Sequence, residues 1–126
     1  MIDQRIQLEA DPSSPAAARA FVRQWLAGQG FSQIAPALEL MTSEAVTNAV
    51  IHAGEPLEVS IEDRGDCVRV RVNDPVVAVP VARPPSPSAA SGRGVAIIDA
   101  LASRWGVVVD PPAGKQVWFE VPSPGR

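Results

Sequence analysis

A proline-rich stretch in the middle of the chain limits the possible folds more than any other feature of the sequence. Five prolines occur from Pro75 to Pro87, with valine and alanine residues among the first of them and serine residues near the last. Proline lacks a backbone N–H and its ring restricts φ, so this segment cannot form a central strand or a helix interior. We therefore predict a long loop over residues 75–91, which is either a lid or binding segment or a disordered excursion.

The residues before this loop carry the periodicities of one strand, two helices and a hairpin. Period-two alternation predicts the strands, and apolar residues at helical spacing predict the helices. Pro15 after a serine N-cap is typical of a helix start, and Gly28 with Gly30, and then Gly54, are typical of helix ends. The predicted elements are a strand at 5–8, helices at 13–28 and 32–53, and paired strands at 57–62 and 68–72.

The residues after the loop predict a third helix and a second hairpin. The helix opens at Gly92-Arg93-Gly94 and runs to about Trp105, followed by strands at 107–109 and 116–121. Two glycines at a helix start allow backbone N–H groups to approach an anion, which the helix dipole also favours. This order of elements predicts a two-layer α/β sandwich, with a sheet that has its helices on one face. A chain of 126 residues, 46% of them apolar, fits one domain.

The second predicted helix carries an unusual polar stripe. Glu44, Asn48 and His52 lie four residues apart, so their side chains stack along one groove, although Leu40 and Met41 on either side of Glu44 are apolar. A carboxylate can take a proton from a hydroxyl or water, and an amide oxygen can ligate a hard cation such as Mg2+. The alternative is structural: a rim acid with a hydrogen-bonded asparagine, and a histidine that caps its helix or bonds a backbone group.

Charge and cysteine content exclude several classes of protein. The net charge of -3, the pI near 5.0 and the lack of a basic patch argue against nucleic acid or anionic lipid as a direct partner. Cys67 is the single cysteine, so the chain has neither an internal disulfide nor a cysteine-cluster zinc site. The first residues lack the apolar segment of a signal peptide, and no run approaches 18 apolar residues. We therefore expect a cytoplasmic protein that does not enter a membrane.

Three segments together resemble a known family. SEAVTNAVIHAG at 43–54, SGRGVAIIDALASRWGV at 91–107 and GKQVWFEVP at 114–122 occur in the order and at the spacing of the GHKL or Bergerat ATP-binding fold. More narrowly, they resemble the anti-sigma-factor serine kinases of the RsbW type, in the short actinobacterial form. The resemblance covers essentially residues 1–126. It implies a single histidine-kinase-like ATPase domain, with a mixed, mostly antiparallel sheet, three helices on one face and an ATP lid at 75–91.

The resemblance also implies roles for individual residues. Glu44 matches the catalytic acid that activates the acceptor hydroxyl or an attacking water, and Asn48 matches the Mg2+ ligand that bridges to the ATP phosphates. Asp74 matches the aspartate that accepts a hydrogen bond from the adenine amino group. Gln116 stands where the family often has a threonine that helps to bind adenine. The residues of the second glycine box, where the lid closes over the phosphates, are matched by Gly92, Arg93 and Gly94.

Two functions follow as alternatives. In the first, the protein binds ATP and Mg2+ and phosphorylates a serine or threonine of a STAS-domain anti-anti-sigma protein, and it sequesters a sigma factor. Homodimerisation is also implied by the family. In the second, it is a non-catalytic protein-binding module of the same fold with weak or no nucleotide binding. The second rests on Val76 and Ala78, which stand where the family's first glycine box has glycines.

Overall fold

The structure is a computed structural model that describes residues 2–75, 90–110 and 114–124. The predicted lid residues 76–89 and the turn residues 111–113 lie outside the described residues. In chain order the elements are β1 (Gln4–Leu8), α1 (Ser14–Gln29), a 3-10 turn (Ser32–Ile34), α2 (Ala35–Ala53), β2 (Leu57–Asp63), β3 (Cys67–Asp74), α3 (Ala90–Leu101), β4 (Arg104–Asp110) and β5 (Gly114–Pro122).

The strands form one sheet in the order β1-β2-β3-β5-β4. All four pairings between these strands are antiparallel, which refines the expectation of a mixed sheet. The helices cover one face of this sheet, so the predicted two-layer sandwich is confirmed. After β3 the chain forms α3 and β4 and then returns as β5, which pairs with β3. The β2–β3 and β4–β5 hairpins therefore lie side by side in the sheet.

The core lies between the sheet and the helices. Alternate residues of β2 and β3 point towards the helices and are fully buried, as the period-two pattern predicts. Each buried valine or leucine contributes roughly 1.5–3 kcal/mol relative to an exposed one. Fully buried members from α1, α2 and the three central strands include Val22, Leu26, Leu38, Val46, Val59, Ile61, Val68, Val70 and Phe119.

Glycines end the first two helices as predicted, but the start of α1 differs from the prediction. Gly30 and Gly54 take left-handed φ values of 76° and 65°. Ser13 makes no side-chain capping bond. Instead, Asp11 Oδ1 accepts hydrogen bonds from the backbone N and the Oγ of Ser13, at 2.7 and 2.6 Å. These bonds lower the pKa of Asp11, because they favour its charged form.

The third helix is shifted towards the N-terminus relative to the prediction. It begins at Ala90 and ends at Leu101, so Trp105 belongs to β4 and not to the helix. The last helical bond runs from Ala102 N to Ile98 O at 2.8 Å, and Ser103 N already donates to Glu120 O at 2.9 Å. The chain therefore joins the sheet at Ser103. In the described part of the chain, none of the helices has the length and apolarity needed to cross a membrane.

Candidate functional site

A pocket lies between α2, α3 and the strands β3, β5 and β4. Its floor is formed by alternate residues of the three strands, and its walls are formed by one face of α2 and the middle of α3. The lining is largely apolar, with a few polar groups from α2 and the strand ends, as is usual for small-molecule sites. The lining residues are Ala45, Asn48, Ala49, His52, Val72, Asp74, Val95, Ile98, Trp105, Val107, Lys115 and Val117.

Helix α2 presents a regular face to the pocket. Ala45, Asn48, Ala49 and His52 follow the i, i+3, i+4, i+7 spacing of one helical stripe. The two alanines leave space, and Asn48 and His52 supply the polar atoms. His52 is exposed and makes no hydrogen bond to the described residues, so the expected helix-capping role for it is wrong there. Gly54 forms the end of α2 instead.

The amide oxygen of Asn48 has no protein partner. Its Oδ1 atom is buried and accepts no hydrogen bond from the described residues. Leaving a buried acceptor unpaired costs about 1–3 kcal/mol, so such atoms in native structures call for an explanation. Asn48 is one of the residues that line the pocket. A cation or a donor group that enters the pocket would satisfy this oxygen.

Asp74 ends β3 at the floor of the pocket, where only 5% of it is exposed. Gly114, the first residue of β5, fixes this strand end because it lies directly against the Asp74–Pro75 peptide. Its φ is +116°, and a Cβ atom at this position would lie 2.1 Å from the Asp74 carbonyl oxygen. Any larger residue would displace the backbone that carries the aspartate.

Glu44 continues the stripe of Asn48 and His52 by one turn towards the start of α2. Glu44 is 7% exposed and lies one turn before Asn48 on α2, but it is not part of the pocket wall. The neighbouring Ser43 accepts a hydrogen bond of 2.8 Å from Arg19 Nη1, which ties this turn of α2 to α1. The structure therefore brings Asn48, His52 and Asp74 together and places Glu44 just beyond them.

The predicted second glycine box lies inside a helix. Gly92, Arg93 and Gly94 belong to the first turns of α3, which begins two residues before Gly92. The first four N–H groups of any helix have no partner within it, so Gly92 and Arg93 still belong to the anion-favouring end. Val95, the next residue, lines the pocket. This helix end therefore adjoins the pocket.

Several pocket residues were not predicted from the sequence. Lys115 lies beside Asp74 in the strand register and lines the pocket, whereas Gln116 points to the opposite face. There Gln116 Nε2 donates to Asn73 Oδ1 at 2.8 Å, so its expected place in an adenine site is wrong. The alternation of β5 was the available signal, because it places residues 115 and 117 on the helix side.

Trp105 is another pocket residue that the sequence did not reveal. The predicted third helix extended to this residue, and only the start of β4 at Arg104 turns the indole towards the helices. Trp105 Nε1 donates to Asp99 Oδ1 of α3 at 2.9 Å. This bond holds the ring in the pocket wall.

The polar atoms of the pocket suit a metal ion that is bound together with phosphates. Among the described residues, no group of three His, Cys, Asp or Glu side chains could hold a metal by itself. Mg2+ commonly uses one or two protein oxygens together with substrate phosphates and waters. The unpaired Asn48 Oδ1 fits this arrangement, because it is one hard oxygen ligand without a competing partner.

Cys67 lies on the other face of the sheet and does not contribute to the pocket. Burial raises the pKa of its thiol, and the nearby carboxylates of Glu120 and Asp66 raise it further. The thiol is therefore protonated at neutral pH and is a poor nucleophile.

Comparisons with known proteins agree with this architecture. The family model for the histidine kinase-like ATPase domain matches residues 8–121. The fold is similar to the crystal structure of the RsbU and RsbW domains of Rv1364c from Mycobacterium tuberculosis, with a TM-score of 0.71 and 22% identity. That similarity covers 98% of this chain and 34% of the other, so this chain spans about a third of the solved one. No curated protein gave a significant match.

Proposed function

Because the chain belongs to the histidine kinase-like ATPase domain family, we propose that it binds Mg-ATP in the pocket between α2, α3 and the sheet. The observation that carries the proposal is the buried Asn48 Oδ1 atom, which has no partner among the described residues and lies in the same pocket as Asp74. The Asp74 carboxylate at the floor can accept a hydrogen bond from the adenine amino group. The Asn48 amide oxygen can be a ligand of the cation.

Each polar group has a separate task in this proposal. Asp74 accepts the hydrogen bond of the adenine amino group, and the apolar floor and Trp105 contact the base. Asn48 holds Mg2+. The backbone N–H groups of Gly92 and Arg93 neutralise phosphate charge at the start of α3, and Gly94 completes the second glycine box that the resemblance implies.

We further propose that the protein is a kinase that transfers a phosphoryl group to a serine or threonine hydroxyl. Mg-ATP, when bound, would supply that group, and ADP would leave as the bond to the γ-phosphoryl group breaks. Glu44 accepts the proton of the acceptor hydroxyl, and its place beyond the pocket wall suits a base that meets a protein substrate from outside. Positioning and charge neutralisation are the main requirements of such a transfer, and this chain has groups for both.

The proposed acceptor is a STAS-domain anti-anti-sigma protein, and the proposed second partner is a sigma factor held inactive in the cytoplasm. The motifs at 43–54, 91–107 and 114–122 support this, because they resemble the RsbW type of kinase. The similar solved structure contains an RsbW domain, which supports the same assignment.

A non-catalytic binding module is the second candidate. Val76 and Ala78 replace the glycines of the first glycine box. This departure favours a protein that keeps the fold and a partner surface with weak or no nucleotide binding.

Calorimetric titration with Mg-ATP tests the binding proposal. We expect saturable heat in the native protein and its loss in Asp74→Asn, because the adenine amino group loses its charged acceptor. Asp66→Asn is the matched control, since Asp66 lies immediately before the other end of β3 and should leave binding unchanged. No heat and no thermal stabilisation at millimolar nucleotide would favour the binding module.

Phosphate transfer to a STAS-domain protein tests the kinase proposal. Glu44→Ala should abolish transfer of radiolabelled phosphate while Mg-ATP still binds, and the exposed Glu55→Ala variant should transfer normally. Transfer that persists in Glu44→Ala would remove Glu44 from the mechanism.

A further inference from the structure

The floor of the pocket contains an uncommitted positive charge. Of the 11 lysine and arginine residues in the chain, Lys115 is the one lysine. It is the second residue of β5 and lines the pocket, where its side chain is partly buried. In the part of the chain that the structure describes, its ammonium group makes no hydrogen bond or ion pair. The tasks proposed for Asn48 and Asp74 do not use this cation.

The strand register places Lys115 beside Asp74. The two residues are directly opposite each other in the antiparallel β3–β5 pair, and both line the pocket. Side chains in such a pair have Cβ atoms about 4.5–5.5 Å apart. On its other side Lys115 lies opposite Val109 of β4, which is apolar. A cationic donor and an anionic acceptor therefore lie side by side at one end of the pocket floor.

A lysine suits this position better than an arginine. The planar guanidinium group forms paired hydrogen bonds with a carboxylate, so an arginine here would engage both oxygens of Asp74. The ammonium group is a point charge on a flexible stem, and it donates up to three hydrogen bonds but accepts none. Lys115 can therefore donate to a ligand that Asp74 also contacts.

We propose that Lys115 donates a hydrogen bond to the ring nitrogen N1 of adenine and thereby determines which base the pocket accepts. The inference rests on the proposed binding of Mg-ATP, with the adenine amino group at Asp74. In adenine, N1 is an acceptor and lies next to the carbon that carries the amino donor. The acceptor and the donor of the protein therefore complement this edge of the base at two adjacent positions.

The same pair of side chains rejects guanine and hypoxanthine in this orientation of the base. Both of these bases carry an oxygen in place of the amino group and a hydrogen on N1. The Asp74 carboxylate would then face an oxygen, and the Lys115 ammonium group, which cannot accept, would face an N–H group. Mismatched contacts of this kind give selectivity by repulsion. A hydroxyl group at position 115 would lose one of them, because it accepts as well as donates.

Calorimetric titration of the native protein with two analogues of ATP tests the contact. In 1-deaza-ATP a C–H group replaces N1, and we expect it to bind at least about 10-fold more weakly than ATP, because a hydrogen bond from a charged donor is lost. In 7-deaza-ATP the N1 atom is kept, so this analogue should bind like ATP. The comparison locates the contact on the base without any change to the protein.

The variant Lys115→Met tests the protein side of the same contact. Methionine keeps an unbranched stem but has no donor, so ATP should bind about 10-fold more weakly, whereas the affinity for 1-deaza-ATP should not change. The ratio of the two affinities should therefore fall to about 1, as in a double-mutant cycle. Arg5→Met, which removes an exposed cation from β1, is the control that should keep the native ratio. Circular dichroism checks that both variants fold.

Three results would contradict the inference, and each has a distinct cause. If the native protein binds ATP and 1-deaza-ATP equally well, Lys115 does not donate to N1. If Lys115→Met weakens both ligands by the same factor, the ammonium group contacts another part of the nucleotide, such as the phosphates. If neither ligand binds the native protein, the proposed binding of Mg-ATP fails, and the inference fails with it.

Discussion

Asn48 illustrates how a binding residue can be recognised by what it lacks. Its Oδ1 atom is buried without a partner among the described residues, whereas Asn73 on the other face of the sheet accepts a 2.8 Å bond from Gln116. The two asparagines can therefore be compared directly: the amide oxygen of Asn48 is available to a ligand, and that of Asn73 is already hydrogen-bonded within the protein.

Asn48→Leu should therefore stabilise the free protein while removing nucleotide binding. The change removes an unpaired buried acceptor, so we expect a gain of about 1 kcal/mol in the free energy of unfolding. Asn73→Leu should lose stability, because it breaks a hydrogen bond, and should keep binding. Urea unfolding with and without Mg-ATP measures both effects. If Asn48→Leu is less stable than the native protein, the amide has a structural partner and the binding role fails.

Gly114 controls the position of Asp74 through the backbone. Gly114→Ala should cost about 2–3 kcal/mol of stability and weaken Mg-ATP binding, because its Cβ would collide with the Asp74 carbonyl group. Gly65→Ala is the matched control: its φ is +92° with open space around it, so it should cost only the backbone strain of about 1 kcal/mol. Thermal unfolding and calorimetry would give the two values, and equal costs would contradict the contact argument.

The outer face of the sheet is held together by charges from three strands. The sequence predicts complementary charges across the first hairpin, and Glu62 lies opposite Arg69 in the register. The side-chain hydrogen bonds do not join this directly opposite pair. Glu62 Oε1 accepts a hydrogen bond from Arg71 at 3.1 Å, while Arg69 Nε donates to Glu120 of β5 at 2.7 Å. Arg69 also lies 4.2 Å from the centre of the Trp118 ring.

Glu120 is the centre of this network and should contribute strongly to stability. Its side chain is 3% exposed and lies near Arg64, Arg69 and Arg104. Glu120→Ala should cost about 3 kcal/mol, because it leaves the largely buried Arg69 without its carboxylate. Arg5→Ala, which removes an exposed 4.0 Å pair with Glu58, should cost less than about 0.5 kcal/mol. Denaturant midpoints compare the two, and a small loss in Glu120→Ala would show that the network is dispensable.

The sequence predicted elements with a regular apolar period better than it predicted their contacts. The helix ending at Gly54, the β2–β3 hairpin and the one-sided sandwich are confirmed. The limits of α3 were wrong, because its end is set by the Ser103 bond to Glu120, a contact between distant parts of the chain.

The candidate site was predictable only in part for the same reason. Asn48 and Asp74 came from motif positions, and the structure places both in one pocket. Lys115 and Gly114 depend on the register between β3 and β5, which local periodicity does not contain. Trp105 depends on where α3 ends and β4 begins.

Family membership now rests on most of the chain. The match over residues 8–121 and the shared fold confirm the resemblance to GHKL ATPases that three short motifs first indicated. The boundaries of a single domain at 1–126 remain a prediction, as do the roles of Glu44 and the glycine box. Removal of the cation tests the role of Asn48 separately from the roles of Glu44 and the glycine box. Asn48 is the single protein group that we predict as a ligand of the cation.

Removing divalent cations should affect the protein only when nucleotide is present. Without ATP, EDTA should leave the unfolding temperature unchanged, because no described cluster of side chains holds a metal by itself. With Mg-ATP at about a hundred times its dissociation constant, binding should add about 2.7 kcal/mol, and EDTA should remove much of this. Differential scanning calorimetry measures both, and a loss of stability in the free protein on chelation would reveal a resident metal.

The position of Trp105 also gives the pocket a built-in optical reporter. The other two tryptophans lie elsewhere, Trp25 with its ring centroid 6.4 Å from that of Phe31 and Trp118 beside Arg69 on the opposite face. A base that enters the pocket changes the environment of one indole and leaves two as an internal reference. The intrinsic fluorescence of the unlabelled protein therefore separates an occupied site from an empty one, and stopped-flow mixing can follow the filling of the site in real time.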